Sequence, residues 1–232
     1  MTGTQGTSTK LARLHPLPLR IMHWLNAIAI LVMIGSGWRI YNNDPIFGFI
    51  EFPITFTFGG DPDITYRHNG DAGFSNALLW HFAFMWLLVA NGLAYVIYGV
   101  ATGRFRRMLL PVTPRDVVHT IRETLRLHLA HDDITMYNAV QKLMYIGVLC
   151  VLVLVVISGV TIWKPVQFSA LAALFGGFQG ARLVHFCCMG LITAFLVVHV
   201  MLAILVPRTI AAMITGGPPN PRLDGRPSLP AE

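Results

Sequence analysis

The sequence predicts an all-α integral membrane protein, a four-helix bundle, on three observations. Apolar residues make up 54% of the 232-residue chain and charged residues only 12%, whereas soluble domains carry about 25% charged residues. Mean hydropathy is +0.60. Four stretches, residues 21–38, 77–100, 143–163 and 183–206, come near or pass the roughly 20 residues that cross a hydrocarbon core, and none contains Asp, Glu, Lys or Arg.

The first span follows a polar, basic stretch, residues 1–19, with no small-residue cleavage pattern after it, so it is expected to be a retained helix and not a signal peptide. A long loop, about residues 41–76, then carries Gly, Pro and five acidic residues. Loops of this length are usually functional or mobile, and the sequence leaves open whether this one docks a partner or caps the bundle. After the second span, residues 101–138 include Val117, Val118, Ile121 and Leu125 at helical spacing with Arg and Glu opposite, the pattern of an amphipathic helix on a membrane surface. His119, His128 and His131 belong to this connection; His128 and His131, at i, i+3, could bind a metal, but solvated surface histidines are commoner. The third and fourth spans complete a transmembrane domain over residues 20–208, and residues 209–232 form a tail, Pro-rich and polar from Gly217.

Basic residues favour the cytoplasmic side. With both termini inside, 13 of the 17 Lys and Arg lie there: three in residues 1–20, seven in 101–142 and three in 207–232. The expected location is therefore the bacterial inner membrane, with the 41–76 loop in the periplasm. The net charge of +6 matches anionic lipid, since no soluble basic face with aromatics marks a nucleic-acid binder. Cys150, Cys187 and Cys188 all fall inside apolar spans, which excludes a disulfide framework and a covalent c-type haem site; packing is their expected role.

Imidazoles inside spans are costly and usually functional. With the N-terminus inside, His23 lies about one turn into the first span and His199 about two turns before the cytoplasmic end of the fourth, so these two share a level. His81 and His185 each lie about one turn in from the periplasm and share another. Fourteen helical steps separate His185 from His199, about 21 Å of rise and about 40° short of four turns, so both point from one face. Two imidazoles facing each other across a bundle suit haem iron, which takes one axial nitrogen on each side of a planar macrocycle. Zinc usually wants four ligands, and no Cys, Asp or Glu lies at either level. Two haems with both axial positions filled leave no open iron, which points to electron transfer. Gly35, Gly37, Gly92, Gly159 and Gly190 are candidates for close approach of a flat cofactor, or for helix packing. Arg39 and Arg182 at the periplasmic level, and Arg20, Lys142 and Arg208 at the cytoplasmic one, are candidates to pair with haem propionates, and positive-inside flanks explain the latter three equally well.

The segments RIMHWLNA, LLWHFAFMWLL, YNAVQKLMY, IWKPVQF, ARLVHF and LVVHVMLAILVPRTIAAMITG resemble the prokaryotic cytochrome b561-like family, which includes the b-type subunits of nickel-iron hydrogenases, formate dehydrogenases and thiosulfate reductase-type enzymes. The likeness runs from about Leu19 to Gly216, with the histidine spacing its most specific part. It implies four helices holding two b haems, His23 and His199 ligating the cytoplasmic-side haem and His81 and His185 the periplasmic-side one, the pairing that depth alone suggests. It also implies exchange of electrons with the quinone pool and, because only four spans are present, a periplasmic molybdopterin-containing oxidoreductase as partner. The element YNAVQK is similar to an Asn-x-x-Gln element beside the quinone pocket of the formate dehydrogenase subunit. This marks Asn138 and Gln141, one turn apart, as candidate quinone contacts, with Lys142 adding positive charge, against the alternative that Asn138 caps a helix.

The expected function is thus transfer of electrons between quinone and a periplasmic oxidoreductase. The alternative is a stand-alone quinone-linked superoxide oxidase, as described for a related small branch, although an anionic substrate would favour a basic periplasmic surface over this acidic loop. A metal transporter is a further alternative, but it would need acidic ligands along a path, and the spans offer none.

Overall fold

The spans start and stop where proline and glycine dictate. In the computed structural model, which describes residues 15–59, 72–108 and 139–217, α1 (Leu17–Asn43) begins behind Pro16 with Pro18 in its first turn, where a missing N–H costs nothing. It stops one residue short of Asp44 and Pro45. Helix α2 (Ala72–Ala101) turns through Gly103, at φ +64°, into the short α3 (Arg104–Met108). Helix α4 (Ala139–Trp163) is followed by the short α5 (Ser169–Leu174). Gly176 and Gly177 have φ of +81° and +92°, a conformation L side chains avoid, and this double turn launches α6 (Phe178–Leu205). Pro207 then breaks the helix and opens α7 (Pro207–Thr215).

Four of these helices, α1, α2, α4 and α6, are long and apolar enough to cross a membrane, each extending a few residues beyond most of the bounds expected from hydropathy. The described residues are otherwise loops and short helices, with no strand among them. Helix–helix contacts use small residues: Ala29, Ser36, Ala77, Ser158, Thr161 and Ala181 are fully buried, letting backbones approach without leaving voids. Large apolar side chains such as Leu31, Ile97, Val153 and Ile204 point outward, a surface suited to lipid. Cys188 is buried, while Cys150 and Cys187 face outward with them.

Close backbone approach occurs mainly within two hairpins, α1 with α2 and α4 with α6. Side chains bridge the space between hairpins. Trp38 Nε1 donates to Met189 Sδ at 3.0 Å, Tyr41 stacks on Phe186, Phe82 meets Trp163, and Arg182 pairs with Asp44 at 2.9 Å. The described chain ends meet at one end of the bundle, the tail end, where His15 N–H donates to the Gly216 carbonyl and Arg20 bonds the Ile214 carbonyl of α7.

At the opposite, loop end, the described part of the long loop folds back on the helices. Asn42 bonds both backbone groups of Phe52, Phe58 N–H donates to the Gly35 carbonyl at 3.0 Å, and Gly59 sits so close to Ala77 that a Cβ there would lie 2.5 Å from its Cα. This portion caps the bundle, while Phe49 and Phe56 remain exposed on its outer side. Gly35, a candidate for close approach of a cofactor or for helix packing, admits this loop: a Cβ on it would meet Phe58 Cβ at 3.1 Å.

Candidate functional site

Two histidine pairs bridge the hairpins at two levels. The rings of His81 on α2 and His185 on α6 have centroids 6.3 Å apart, and those of His23 on α1 and His199 on α6 are 6.2 Å apart. One metal between two imidazoles requires about 2 Å per bond and a little over 1 Å from each nitrogen to its ring centre, or about 6.3 Å between centroids. Both pairs therefore match a single metal held axially from two sides, as haem iron is. Among the described residues no group of three His, Cys, Asp or Glu is placed to hold a metal ion, so a tetrahedral protein site has no donor set here.

The loop-end pair is the more elaborately held. His81 Nδ1 lies 3.0 Å from Ser36 Oγ. Ser36 Oγ in turn donates to the Val32 carbonyl at 2.7 Å. His185 Nδ1 lies 3.0 Å from the Val155 carbonyl and 3.2 Å from Ser158 Oγ, whose own hydroxyl donates to the Leu154 carbonyl at 2.8 Å. Carbonyls only accept, so the proton belongs on Nδ1 of each ring and Nε2 keeps the lone pair that a metal needs. Next to each serine is a glycine against the ring edge. A Cβ on Gly37 would be 3.5 Å from His81 Cε1, and one on Gly159 would be 3.0 Å from His185 Cε1.

The tail-end pair has different surroundings. Phe195 stacks on His199 at 5.5 Å and 13°, and Trp24 adjoins His23. Asn91 of α2 donates to the Met22 carbonyl and Asn26 Oδ1, both at 2.7 Å. The adjacent Gly92 lies eleven residues beyond His81, about 20° from the same helical face, and a Cβ there would meet nothing within 4 Å, room that a flat macrocycle can use. Gly190 also meets nothing within 4 Å, but it is about 140° around α6 from His185.

Charge collects at this end. Burial first, then the positive charge of Arg104, His23 and Arg20, pushes the His15 imidazole down to about 4. Arg20 Nε and His15 Nδ1 are buried without a partner among the described residues, a donor-rich setting that fits an anionic group such as a propionate. At the loop end Arg182 is engaged by Asp44 and Gln179, whereas Arg39 makes no hydrogen bond or ion pair among the described residues. Asn138 and the amphipathic segment expected within 101–138, with its three histidines, lie outside the described residues beyond Met108. Gln141 and Lys142 belong to the first turn of α4, with their side chains outside the described part.

Sequence reasoning found the four histidines and missed the two serines. The signal was present: ALLWHFAFMWLL at 77–88 and ARLVHFCCMGLI at 181–192 match at six of twelve positions, histidine on histidine, and Ser36-Gly37 and Ser158-Gly159 occupy like places in the partner helices. In the bundle Ala77 and Ala181, and Leu88 and Ile192, are buried alike. Each hairpin thus presents the same Ser-Gly and histidine arrangement to the loop-end pair.

A family model described as prokaryotic cytochrome b561 matches residues 14–216. The chain is also 39% identical over 209 residues to a putative protein-methionine-sulfoxide reductase subunit, YedZ1, of Azospira oryzae, covering 90% of this chain and 99% of that protein.

Proposed function

The chain belongs to the prokaryotic cytochrome b561 family, a b-haem membrane electron-transfer subunit, and from that premise we propose that it carries two b haems and conducts electrons between membrane quinone and a periplasmic reductase. The carrying observation is the spacing of the two histidine pairs, 6.2 Å and 6.3 Å, on opposite halves of one bundle. The tail end is assigned to the cytoplasm by the excess of basic residues there, which puts the loop end in the periplasm.

His81 and His185 would hold one haem and His23 and His199 the other, each through a neutral ring nitrogen. Bound haem supplies reversible one-electron exchange between ferric and ferrous iron. The protein's share is to place one histidine of each pair on α6, fourteen residues apart, with the buried Ile192 midway, and to surround them with apolar helices that keep water out. Arg20 and His15 offer donors to propionate at the cytoplasmic side, and Arg39 and Arg182 stand at the periplasmic side. The relative named as a methionine-sulfoxide reductase subunit supports a reductase of that kind, molybdopterin-containing, as the protein that meets the loop end.

Haem content tests this directly. The purified protein should release two non-covalent b haems per chain on acid-acetone extraction, because there are two axial pairs and no thioether-forming motif. One haem per chain, or zinc in its place, overturns the pairing.

Quinone is assigned to the tail end, beside His23 and His199, with Asn138, Gln141 and Lys142 among its contacts. Loss of one hydrogen bond costs about 0.5–1.5 kcal/mol, roughly twofold to tenfold in rate when it is made in the reacting complex. Asn138→Ala and Gln141→Ala should therefore slow haem reduction by quinol severalfold while leaving haem content and dithionite reduction intact. Unchanged quinol kinetics in both would move the site to the loop end.

A further inference from the structure

The hairpin repeat gives the two histidine pairs different electronic settings. At the loop end each ring donates Nδ1–H into a serine hydroxyl that is itself committed to the carbonyl four residues back. Both serines have 0% exposure, so no water competes for these bonds. At His185 the Val155 carbonyl supplies a further acceptor. Among the described residues His23 and His199 have no hydrogen bond to either ring nitrogen. The contrast is between pairs in one molecule, and it is duplicated on two opposite faces of one site.

An acceptor on the N–H of a metal-bound imidazole draws the ring toward imidazolate and raises its basicity as a ligand. Linked hydrogen bonds polarise one another, most in a low-dielectric interior. A more basic axial ligand favours ferric over ferrous iron, so two such ligands on one iron act in the same direction on its potential.

We propose that Ser36 and Ser158, the latter with its adjoining Gly159, are positioning residues that set ring orientation and donor strength for the loop-end histidine pair and thereby lower the potential of that haem alone. This rests on the reading of His81 and His185 as axial ligands. Gly159 belongs to the device because a Cβ there would lie 3.0 Å from the His185 ring edge and hold it away from the serine turn, whereas one on Gly37 would make an ordinary contact with His81 at 3.5 Å.

The test is a potentiometric titration of the purified full-length protein, followed optically and by low-temperature electron paramagnetic resonance. The variants are Ser36→Ala, Ser158→Ala and the double, with Ser36→Cys and Ser158→Cys as near-isosteric replacements whose thiol is a weaker acceptor. The midpoint assigned to the loop-end haem should move positive in each single variant and further in the double, with the tail-end midpoint unmoved. A tenfold change in the ferric-to-ferrous balance reads as about 59 mV for a one-electron couple.

If an alanine variant loses haem, selective loss from the loop end together with a positive shift in the cysteine variants supports the proposal. No shift in loaded variants, equal shifts of both midpoints, or loss of both haems together overturns it. The wild-type protein separates this from the parent reading: if it lacks a second haem, or shows no low-spin two-histidine spectrum, the haem assignment itself has failed before any serine variant is considered.

Discussion

His81→Ala and His185→Ala are expected to remove the same haem, the one at the loop end, and His23→Ala and His199→Ala the other. Each pair is placed to share one iron, with ring centroids 6.3 Å and 6.2 Å apart. A single imidazole cannot fill both axial positions, and the opposite side has no substitute: among the described residues no further Cys, Asp, Glu or His approaches either pair closely enough to complete a metal-binding group. The expected effect is close to all or none for the affected haem, about one of two lost per chain. Redox titration and haem extraction on the four variants should sort them two and two. A grouping of His23→Ala with His81→Ala would break the assignment of levels, even with haem content halved throughout. Because α6 supplies a ligand to each, the double variant His185→Ala/His199→Ala should bind no haem.

Gly159→Val should abolish the loop-end haem nearly as completely as a histidine change, although glycine carries no functional group. A Cβ at this position would already lie 3.0 Å from Cε1 and 3.3 Å from Nδ1 of His185, closer than ordinary van der Waals contact, and valine adds two methyl groups on a helix where its rotamer is nearly fixed. The ring cannot yield freely, because Nδ1 is bonded to the Val155 carbonyl and Ser158 Oγ. Displacing it costs those bonds and misaims the ligand, and even 1 Å of misplacement matters at a site of this kind. Gly37→Ala is the contrast, since its Cβ would sit 3.5 Å from His81 Cε1, an ordinary contact that should leave the haem in place. Haem content and the low-spin absorption bands of Gly159→Ala, Gly159→Val and Gly37→Ala measure this. Full haem content with an unaltered spectrum in Gly159→Val would show that the ring has room the distances deny it.

Four charge-free apolar runs are enough to specify four membrane helices, because lipid offers no alternative partner for backbone N–H and C=O groups. The intramembrane histidines were legible for the same reason: an imidazole in an apolar run is conspicuous, and helical rise alone places His185 and His199 on one face at separate depths. Family membership rests on those runs and on the motifs around the histidines. The sequence by itself therefore determined the fold class, the spanning elements and the four candidate ligands.

Only the tertiary structure decided which small residues serve the histidines. The matching Ser-Gly pairs at Ser36 and Ser158 are visible in one dimension, but nothing there says that the hydroxyls reach histidines, since a serine bonding back to the carbonyl four residues earlier is commonplace in membrane helices. Their second bond crosses to another helix 45 residues away for Ser36 and 27 for Ser158, and it depends on the angle and depth at which the hairpin closes. Gly35 and Gly37, two residues apart, part company in the same way: one receives the returning loop at Phe58, the other the edge of His81. Hydropathy and spacing reveal that a helix is in lipid and which side chains share a face, but the rotation of one helix against its neighbour is set by the packing of small and large residues across the contact. That rotation decides which glycine admits a ring and which serine reaches a histidine.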